Sequence, residues 1–315
     1  MRPRRIGTRG SALALWQAKA VASRLQEGGT PTEIVVIKTG GDRLQEAPLS
    51  EAGGKRLFVK ELEDALLSGD VDLAVHSAKD MSAVLPDGLT IAAVLPRDDP
   101  RDALVLTRDT RVVDFEAALA HIGETPSIAT GSIRRIAQLS ALLPQARFLP
   151  IRGNVDTRLR KLDAGEYEAL ILAVAGLRRL GFDARISAAI PVEVCIPAPG
   201  QGIVAVEIRD GDGETRRMVT PIGDAEAAAS LAAERAVVTA LGGGCQLPLG
   251  AVAVHDRDSL SVHAVVASPD GRDVIRRTVS GLTGQAAALG RQVAEELVTA
   301  GATEILSAVR NGVMP

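Results

Sequence analysis

Ile196-Pro-Ala-Pro-Gly-Gln-Gly202, running into the apolar segment Ile203 to Ile208, is the stretch that decides the fold. Two prolines and two glycines within it mark a crossing between elements, not an element. The apolar segment that follows reads as a single strand with no helix of its own, so the chain is expected to return to a sheet begun earlier. A second crossing is read at Leu95-Pro-Arg-Asp-Asp-Pro-Arg101. Two crossings between the same bodies imply a hinged pair of lobes.

Outward from these crossings, β-rich runs alternate with amphipathic helical patterns: Thr32 to Thr39, Leu57 to Leu67, Val71 to Val75, Leu89 to Leu95. That alternation predicts an α/β fold with largely parallel sheets. The lobes echo one another. Ile6-Gly-Thr-Arg-Gly-Ser11 and Ile128-Ala-Thr-Gly-Ser132 each run from a strand into a helix, and Gly69 to Val75 is answered by Gly165 to Val174. The last third changes character: an Ala-rich helix from about Ala225 to Leu241 ends at Gly242-Gly-Gly244. Strands at Ala251 to His255, Leu260 to Ser268 and Val274 to Ser280 follow, the last two joined by Pro269-Asp-Gly271, and two helices close the chain. The expected domains are 1–98 with 203–220, then 102–198, then a smaller α+β domain at 225–315.

Composition narrows the function. In 315 residues with a net charge of −3 and only six aromatic side chains, neither a nucleic-acid-coating surface nor a base-stacking platform is expected. No apolar run approaches a membrane span and no leader pattern opens the chain, so no membrane or export role is expected. With two dissimilar cysteines, Cys195 and Cys245, a disulfide framework is not expected and a cytoplasmic setting fits. The four histidines form no ligand spacing with either cysteine, so no metal is expected. Of 36 basic residues, 30 are arginine. A guanidinium matches a carboxylate bidentately, but genome composition explains the total equally well, so placement decides.

Placement is informative. Val71-Asp-Leu-Ala-Val-His-Ser-Ala-Lys-Asp80 drives a strand into Lys79 and Asp80 at its carboxyl end, where open α/β sheets bind ligands. A carboxylate there can accept from an N–H, protonate a leaving amine or stabilise a cation, or simply pair with Lys79 at a loop start. His76 reads as structural. Arg9 lies at one strand-to-helix junction, and Arg134 and Arg135 lie in the first turn of another. Cations there oppose the helix dipole unless they reach an anion. Arg152 and Arg158 follow the next strand, and Arg178 and Arg179 the one after. The polar stretch Gly41 to Arg56 reads as a lid, with Lys55 and Lys60 near a ligand or in solvent. Cys195 reads as a buried strand residue. Cys245 sits on a glycine loop after a helix C-terminus, which does not lower a thiol pKa, so an attachment point fits better than a turnover nucleophile. A two-lobed anion-binding protein without catalysis and a thiol-dependent transferase stay open on these residues alone.

The assembled segments resemble the porphobilinogen deaminase (hydroxymethylbilane synthase) family from Ile6 to near the C-terminus. The resemblance is carried by Thr8-Arg-Gly-Ser11 with Leu15-Trp-Gln17, Gly53 to Leu62, Ala74-Val-His-Ser-Ala-Lys-Asp80, Ser132-Ile-Arg-Arg135, Arg152-Gly-Asn154, Leu172 to Leu177 and Gly243-Gly-Cys-Gln246. It implies two periplasmic-binding-protein-like lobes with a smaller α+β third domain, and a dipyrromethane cofactor in thioether linkage to Cys245. It also implies a transferase of tetrapyrrole (haem) biosynthesis that condenses four porphobilinogen molecules with loss of ammonia, then releases hydroxymethylbilane. Asp80 would assist amine loss and stabilise an azafulvenium-like cation. Lys79, Thr130, Ser132, Arg134, Arg135 and Arg158 would hold the cofactor, and Arg9, Ser11, Arg152 and Arg179 the substrate. A monomer is implied. Ala12, Arg56, Ser82 and Gly131 depart from the family pattern, where proline, glycine, proline and serine are usual.

Overall fold

The computed structural model describes residues 2–38, 59–243 and 247–311. The expected lid from Gly41 to Arg56 and the expected attachment residue Cys245 lie outside the described residues.

From the amino terminus come β1 (Arg4–Thr8), α1 (Ala12–Glu27), β2 (Thr32–Val36), α2 (Lys60–Leu67), β3 (Leu73–Ser77) and β4 (Leu89–Val94). The chain crosses and lays down β5 (Asp102–Val105), α3 (Phe115–Ile122), β6 (Ser127–Ala129), α4 (Ile133–Leu142), β7 (Arg147–Leu149) and α5 (Val155–Asp163). Then follow β8 (Ala169–Ala173), α6 (Val174–Arg179) and β9 (Ala188–Ala189). The chain returns as β10 (Val204–Arg209), continuing into α7 (Gly213–Val219) and α8 (Ala225–Ala240). It closes with β11 (Leu249–Asp256), β12 (Ser259–Ala267), β13 (Val274–Leu282), α9 (Ala286–Thr299) and α10 (Ala302–Arg310). The short helix α7 corrects the expectation that the returning strand has no helix of its own.

Two five-stranded sheets have the same design. Their orders are β2-β1-β3-β10-β4 and β7-β6-β8-β5-β9. In the first, β1 pairs parallel with β2 and β3, and β10 is antiparallel to β3 and β4. In the second, β6 pairs parallel with β7 and β8, and β5 is antiparallel to β8 and β9. The reversed strand in each sheet is the one that arrives from the other lobe. Each crossing is thereby locked into the interior of the sheet it enters, and the result is the two-lobed binding-protein architecture. The internal echo read from Ile6 and Ile128 corresponds to β1 and β6, which hold the same station.

α1 shows why these residues form these elements. Gln17, Ala18, Val21, Ala22 and Leu25 recur at helical spacing and are its buried face, packed with Ile6, Leu73, Val75 and Val206. Ser11 starts it by accepting from the Ala14 amide at 3.3 Å, and Gly28 ends it. In the third domain, α8 and α9 pack one face of the β11-β12-β13 sheet, while Val252 and Val265 on the other face meet Ile196.

The crossings run side by side. Asp98 N donates to Gly202 O at 3.1 Å and Leu95 N to Val204 O at 2.9 Å. Gly202 has φ +86°, and a Cβ there would stand 2.3 Å from the Asp98 carbonyl, so a glycine is required. The third domain grips the same place: Glu234 of α8, fully buried, accepts from Arg97, from the Gly200 amide at 2.6 Å and from the Ala253 amide at 2.8 Å.

Candidate active site

β3 delivers His76 and Ser77 and then tightens into a 3₁₀ turn at Ala78–Asp80, which sets Lys79 and Asp80 at the strand's carboxyl end. The neighbouring strand β1 delivers Arg9 and Ser11 at the start of α1. Arg9, Ser11, Gln17, His76 and Asp80 line one small cleft of about 60 Å³. His76 is buried, and a carboxylate from far along the chain stands beside it: Nε2 lies 3.0 Å from Glu207 Oε2 on β10, without the geometry of a hydrogen bond. Gln17, which the sequence reading quoted within Leu15-Trp-Gln17 but gave no site role, is buried in the cleft wall and its Nε2 has no hydrogen-bond partner among the described residues. Its polarity on the otherwise apolar buried face of an amphipathic helix is the signal that could have found it.

In the second sheet the equivalent junction, β6 to α4, carries Thr130, Ser132, Arg134 and Arg135. Thr130 is buried, with Oγ1 accepting from the Ser132 amide at 3.3 Å. Ser132 occupies the N-cap position of α4, but its hydroxyl caps no amide. The two arginines turn inward and meet an internal anion. Arg134 Nη1 donates to Asp102 Oδ2 at 2.8 Å and to Ile196 O at 2.8 Å. Arg135 donates from Nη2 to Asp102 Oδ1 at 2.7 Å and from Nη1 to Ile171 O at 2.7 Å. The anion that justifies cations at this helix start is therefore Asp102, at the beginning of β5. Sequence reasoning missed it, although an acid opening the buried run Asp102-Ala-Leu-Val105 is a visible anomaly.

Burial by itself pushes the Asp102 carboxyl up, but the Arg134 and Arg135 guanidinium groups overcome that and hold it well below the usual carboxylate range. One carboxylate between two guanidiniums leaves the cluster positive. Arg158 adds to it: burial, with the positive charges of Arg135 and Arg152, pushes its guanidinium down to about 10. Its Nε donates to Gly153 O at 2.8 Å. Arg152 is exposed at the mouth of the same group.

Arg179 lies apart from that cluster, at the meeting of the lobes. Its guanidinium stands 5.4 Å from the Trp16 ring centre on α1, Nη2 donates to Gly202 O at 2.6 Å, and Nε is 3.7 Å from Asp98. Burial lowers its pKa and Asp98 opposes that. Its described contacts thus tie α6 of one lobe to α1 and the crossings. Lys79 links the two groups from the other side, donating to Gln201 Oε1 at 3.3 Å.

Cys195 is buried as expected, but in a turn instead of a strand. Burial pushes its thiol up to about 12 despite Arg134, so it is protonated at neutral pH and inert as a nucleophile. Lys60 is exposed at the start of α2. Of the departures, Ala12 takes the first helical position of α1, where proline and alanine are both accommodated. A Cβ at Gly131 would meet only the Ile151 carbonyl at 3.4 Å, so the glycine loses a hydroxyl and little else. Nothing in the structure explains Ser82, and Arg56 lies outside the described residues. Among the described residues no group of three or more His, Cys, Asp or Glu is placed to hold a metal, and no helix is long and apolar enough to cross a membrane.

Comparison with known proteins addresses the same residues. Positions 4–217 match the family described as porphobilinogen deaminase, dipyromethane cofactor binding domain, and 228–299 match the porphobilinogen deaminase C-terminal domain. The chain is similar to porphobilinogen deaminase of Chromobacterium violaceum, 45% identical over 309 residues, covering 96% of this chain and 97% of that one. It is 44% identical over 307 residues to porphobilinogen deaminase of Syntrophotalea carbinolica, covering 97% and 95%. Likeness to solved structures is more distant. The second substrate binding domain of a putative amino acid ABC transporter from Streptococcus pneumoniae aligns at TM-score 0.42 and 11% identity, covering 70% of this chain and 91% of that one.

Proposed function

The chain belongs to the porphobilinogen deaminase family, and on that premise we propose that it condenses four porphobilinogen molecules head to tail on a dipyrromethane carried by Cys245. Ammonia leaves at each addition and hydroxymethylbilane is released at the end. It is a transferase of tetrapyrrole synthesis. In this reading residues 1–98 with 203–220, 102–198 and 225–315 are its three domains, the cofactor linkage is a thioether, and the enzyme works as a cytoplasmic monomer.

The observation that carries the reading is the positive cluster around Arg158. Burial first, and then the like charges of Arg135 and Arg152, depress the Arg158 pKa, and Asp102 is spent on Arg134 and Arg135. Such repulsion is relieved by a ligand with several carboxylates, and each pyrrole unit bears two. Charge-assisted pairs of this kind contribute about 1.5–3 kcal/mol each. The donor set therefore fits a dipyrromethane: Arg158 and Ser132, with Lys79, Thr130, Arg134 and Arg135 around them, would hold its acids, and the exposed Arg152 would serve the incoming substrate. When bound, the cofactor supplies the free pyrrole α-carbon to which each new unit joins.

The protein's own part follows from the cleft. Asp80, beside Arg9 and Ser11, would protonate the departing amine as the carboxylic acid, stabilise the cation left behind by accepting from its pyrrole N–H as the resulting carboxylate, and regain the proton released from the pyrrole α-carbon when the units join. Arg9 and Ser11 orient the acids of the incoming porphobilinogen, Lys79 flanks Asp80, and Arg179 serves the same substrate from the meeting of the lobes.

Intact mass under denaturing conditions, together with turnover of porphobilinogen, tests the reading. Wild-type protein is expected to carry a covalent adduct that is missing from Cys245→Ala, which is inactive. Active wild-type protein at its unmodified mass would sink the cofactor assignment, and absence of porphobilinogen turnover would sink the function.

A further inference from the structure

Gln201 joins residues that the two lobes contribute separately. It lies in the return crossing with 1% of its surface exposed, and both ends of its side-chain amide are bonded. Nε2 donates to Pro100 O at 2.7 Å and to Asp102 Oδ1 at 2.8 Å, while Oε1 accepts from Lys79 Nζ at 3.3 Å. Its backbone carbonyl accepts from Arg97 Nε at 3.0 Å. The surrounding charges allow one orientation only. A carboxylate and a carbonyl require the NH₂ group on one side, and an ammonium requires the C=O on the other; flipped, the amide would set oxygen against oxygen.

The residues at the two ends are not equivalent bystanders. Lys79 is the neighbour of Asp80 in the 3₁₀ turn of the first lobe. Asp102 opens β5 in the second lobe and fixes both Arg134 and Arg135. Hydrogen bonds to charged groups at both ends of one buried amide make the link stiff, because moving either partner alone leaves a buried polar atom unsatisfied. We propose that Gln201 is a positioning residue that couples the Lys79–Asp80 turn of the first lobe to the Arg134–Asp102–Arg135 cluster of the second. It keeps the proton-transferring carboxylate and the arginine cluster in one register while the lobes carry a lengthening chain. The proposal rests on the functional reading above.

The test is a double-mutant cycle on porphobilinogen turnover with wild type, Gln201→Leu, Lys79→Met and the combined variant. Contacting residues that act as a unit have non-additive effects. Gln201→Leu is expected to lower kcat roughly tenfold with KM changed less, as expected for a contact coupled by about 1.4 kcal/mol. The combined variant is expected to be no slower than the slower single variant. Fold-losses that simply multiply would show that Gln201 does not act through Lys79 and would overturn the proposal. If Gln201→Leu does not fold, Gln201→Glu gives the answer: its carboxylate faces Asp102 and must take up a proton to restore the donor. Its kcat relative to wild type should then rise as the pH is lowered, whereas a constant ratio overturns the proposal. Wild-type protein that fails to turn over porphobilinogen would instead sink the functional reading, and the proposal with it.

Discussion

The β1–α1 and β6–α4 junctions hold the same station in two sheets of the same strand order, and they treat similar residues in opposite ways. At the first, Ser11 caps the helix and Arg9 lines the cleft beside Asp80. At the second, Ser132 caps nothing, and Arg134 and Arg135 are buried against Asp102. The strands beside them differ as well. β3 leads into a 3₁₀ turn that carries Lys79 and Asp80, whereas its counterpart β8 runs straight into α6 with Val174, Ala175 and Gly176. Duplicate scaffolds thus carry different side chains at one station: the first lobe sets a carboxylate in its cleft, and the second buries one between two arginines.

The largest expected effect breaks that contrast at its chemical end. Asp80→Ala should fold and keep the covalent adduct, yet lose roughly 10²–10⁴-fold in kcat, the range a positioned acid or base contributes. Single-turnover kinetics with the adduct checked by mass would measure it. Near-normal turnover would move the chemistry away from the first lobe. No such loss is expected from the second lobe's corresponding strand end, because it offers no ionisable group before Arg178.

The next effect is one of stability and belongs to the second lobe. Asp102→Asn leaves two buried guanidiniums without their carboxylate, and removing one partner of a buried ion pair costs about 3–5 kcal/mol. Chemical denaturation would measure it. The pH dependence has a definite sign. The Asp102 pKa is depressed in the folded state from its ordinary 3.8, so its contribution is complete above that value and is lost progressively as the pH falls below it. The stability gap between wild type and Asp102→Asn should therefore narrow on acidification from that point. A gap that widens there would mean that the arginines are balanced by something other than this carboxylate.

This asymmetry was only partly legible in the sequence. The crossings were readable because proline and glycine clusters punctuate the chain at Leu95 to Arg101 and Ile196 to Gly202, and the lobes because Ile6 and Ile128 open matching strand-to-helix runs. Lys79 and Asp80 were readable because a polar burst ends an apolar strand. The partners of the buried charges were not. Asp102 is 32 residues from Arg134, and their contact exists only because β5 enters the second sheet reversed, between β8 and β9. The same holds for His76 and Glu207, joined when β10 returns beside β3. Local pattern specifies elements, whereas these pairs depend on where a strand inserts. Ser11 and Ser132 make the point most economically, since both precede a helix and only the folded structure distinguishes the one that caps it.

That last contrast gives the smallest and sharpest prediction. Ser11→Ala removes the oxygen that accepts from the Ala14 amide, and loss of such a cap costs about 0.5–2 kcal/mol. Ser132→Ala removes a hydroxyl that satisfies no helix amide, so its stability should stay within about 0.5 kcal/mol of wild type, as for a substitution that disturbs no packing or cap. The functional order should be different. If the Ser132 hydroxyl is held for a carboxylate of the bound pyrrole chain, its removal shows in turnover, while the melting curve hardly moves. Thermal melts of the two variants measured beside their kcat and KM would decide the matter. Equal destabilisation by both substitutions would mean that the two junctions use their serines alike, and that the second lobe keeps no hydroxyl in reserve for a ligand.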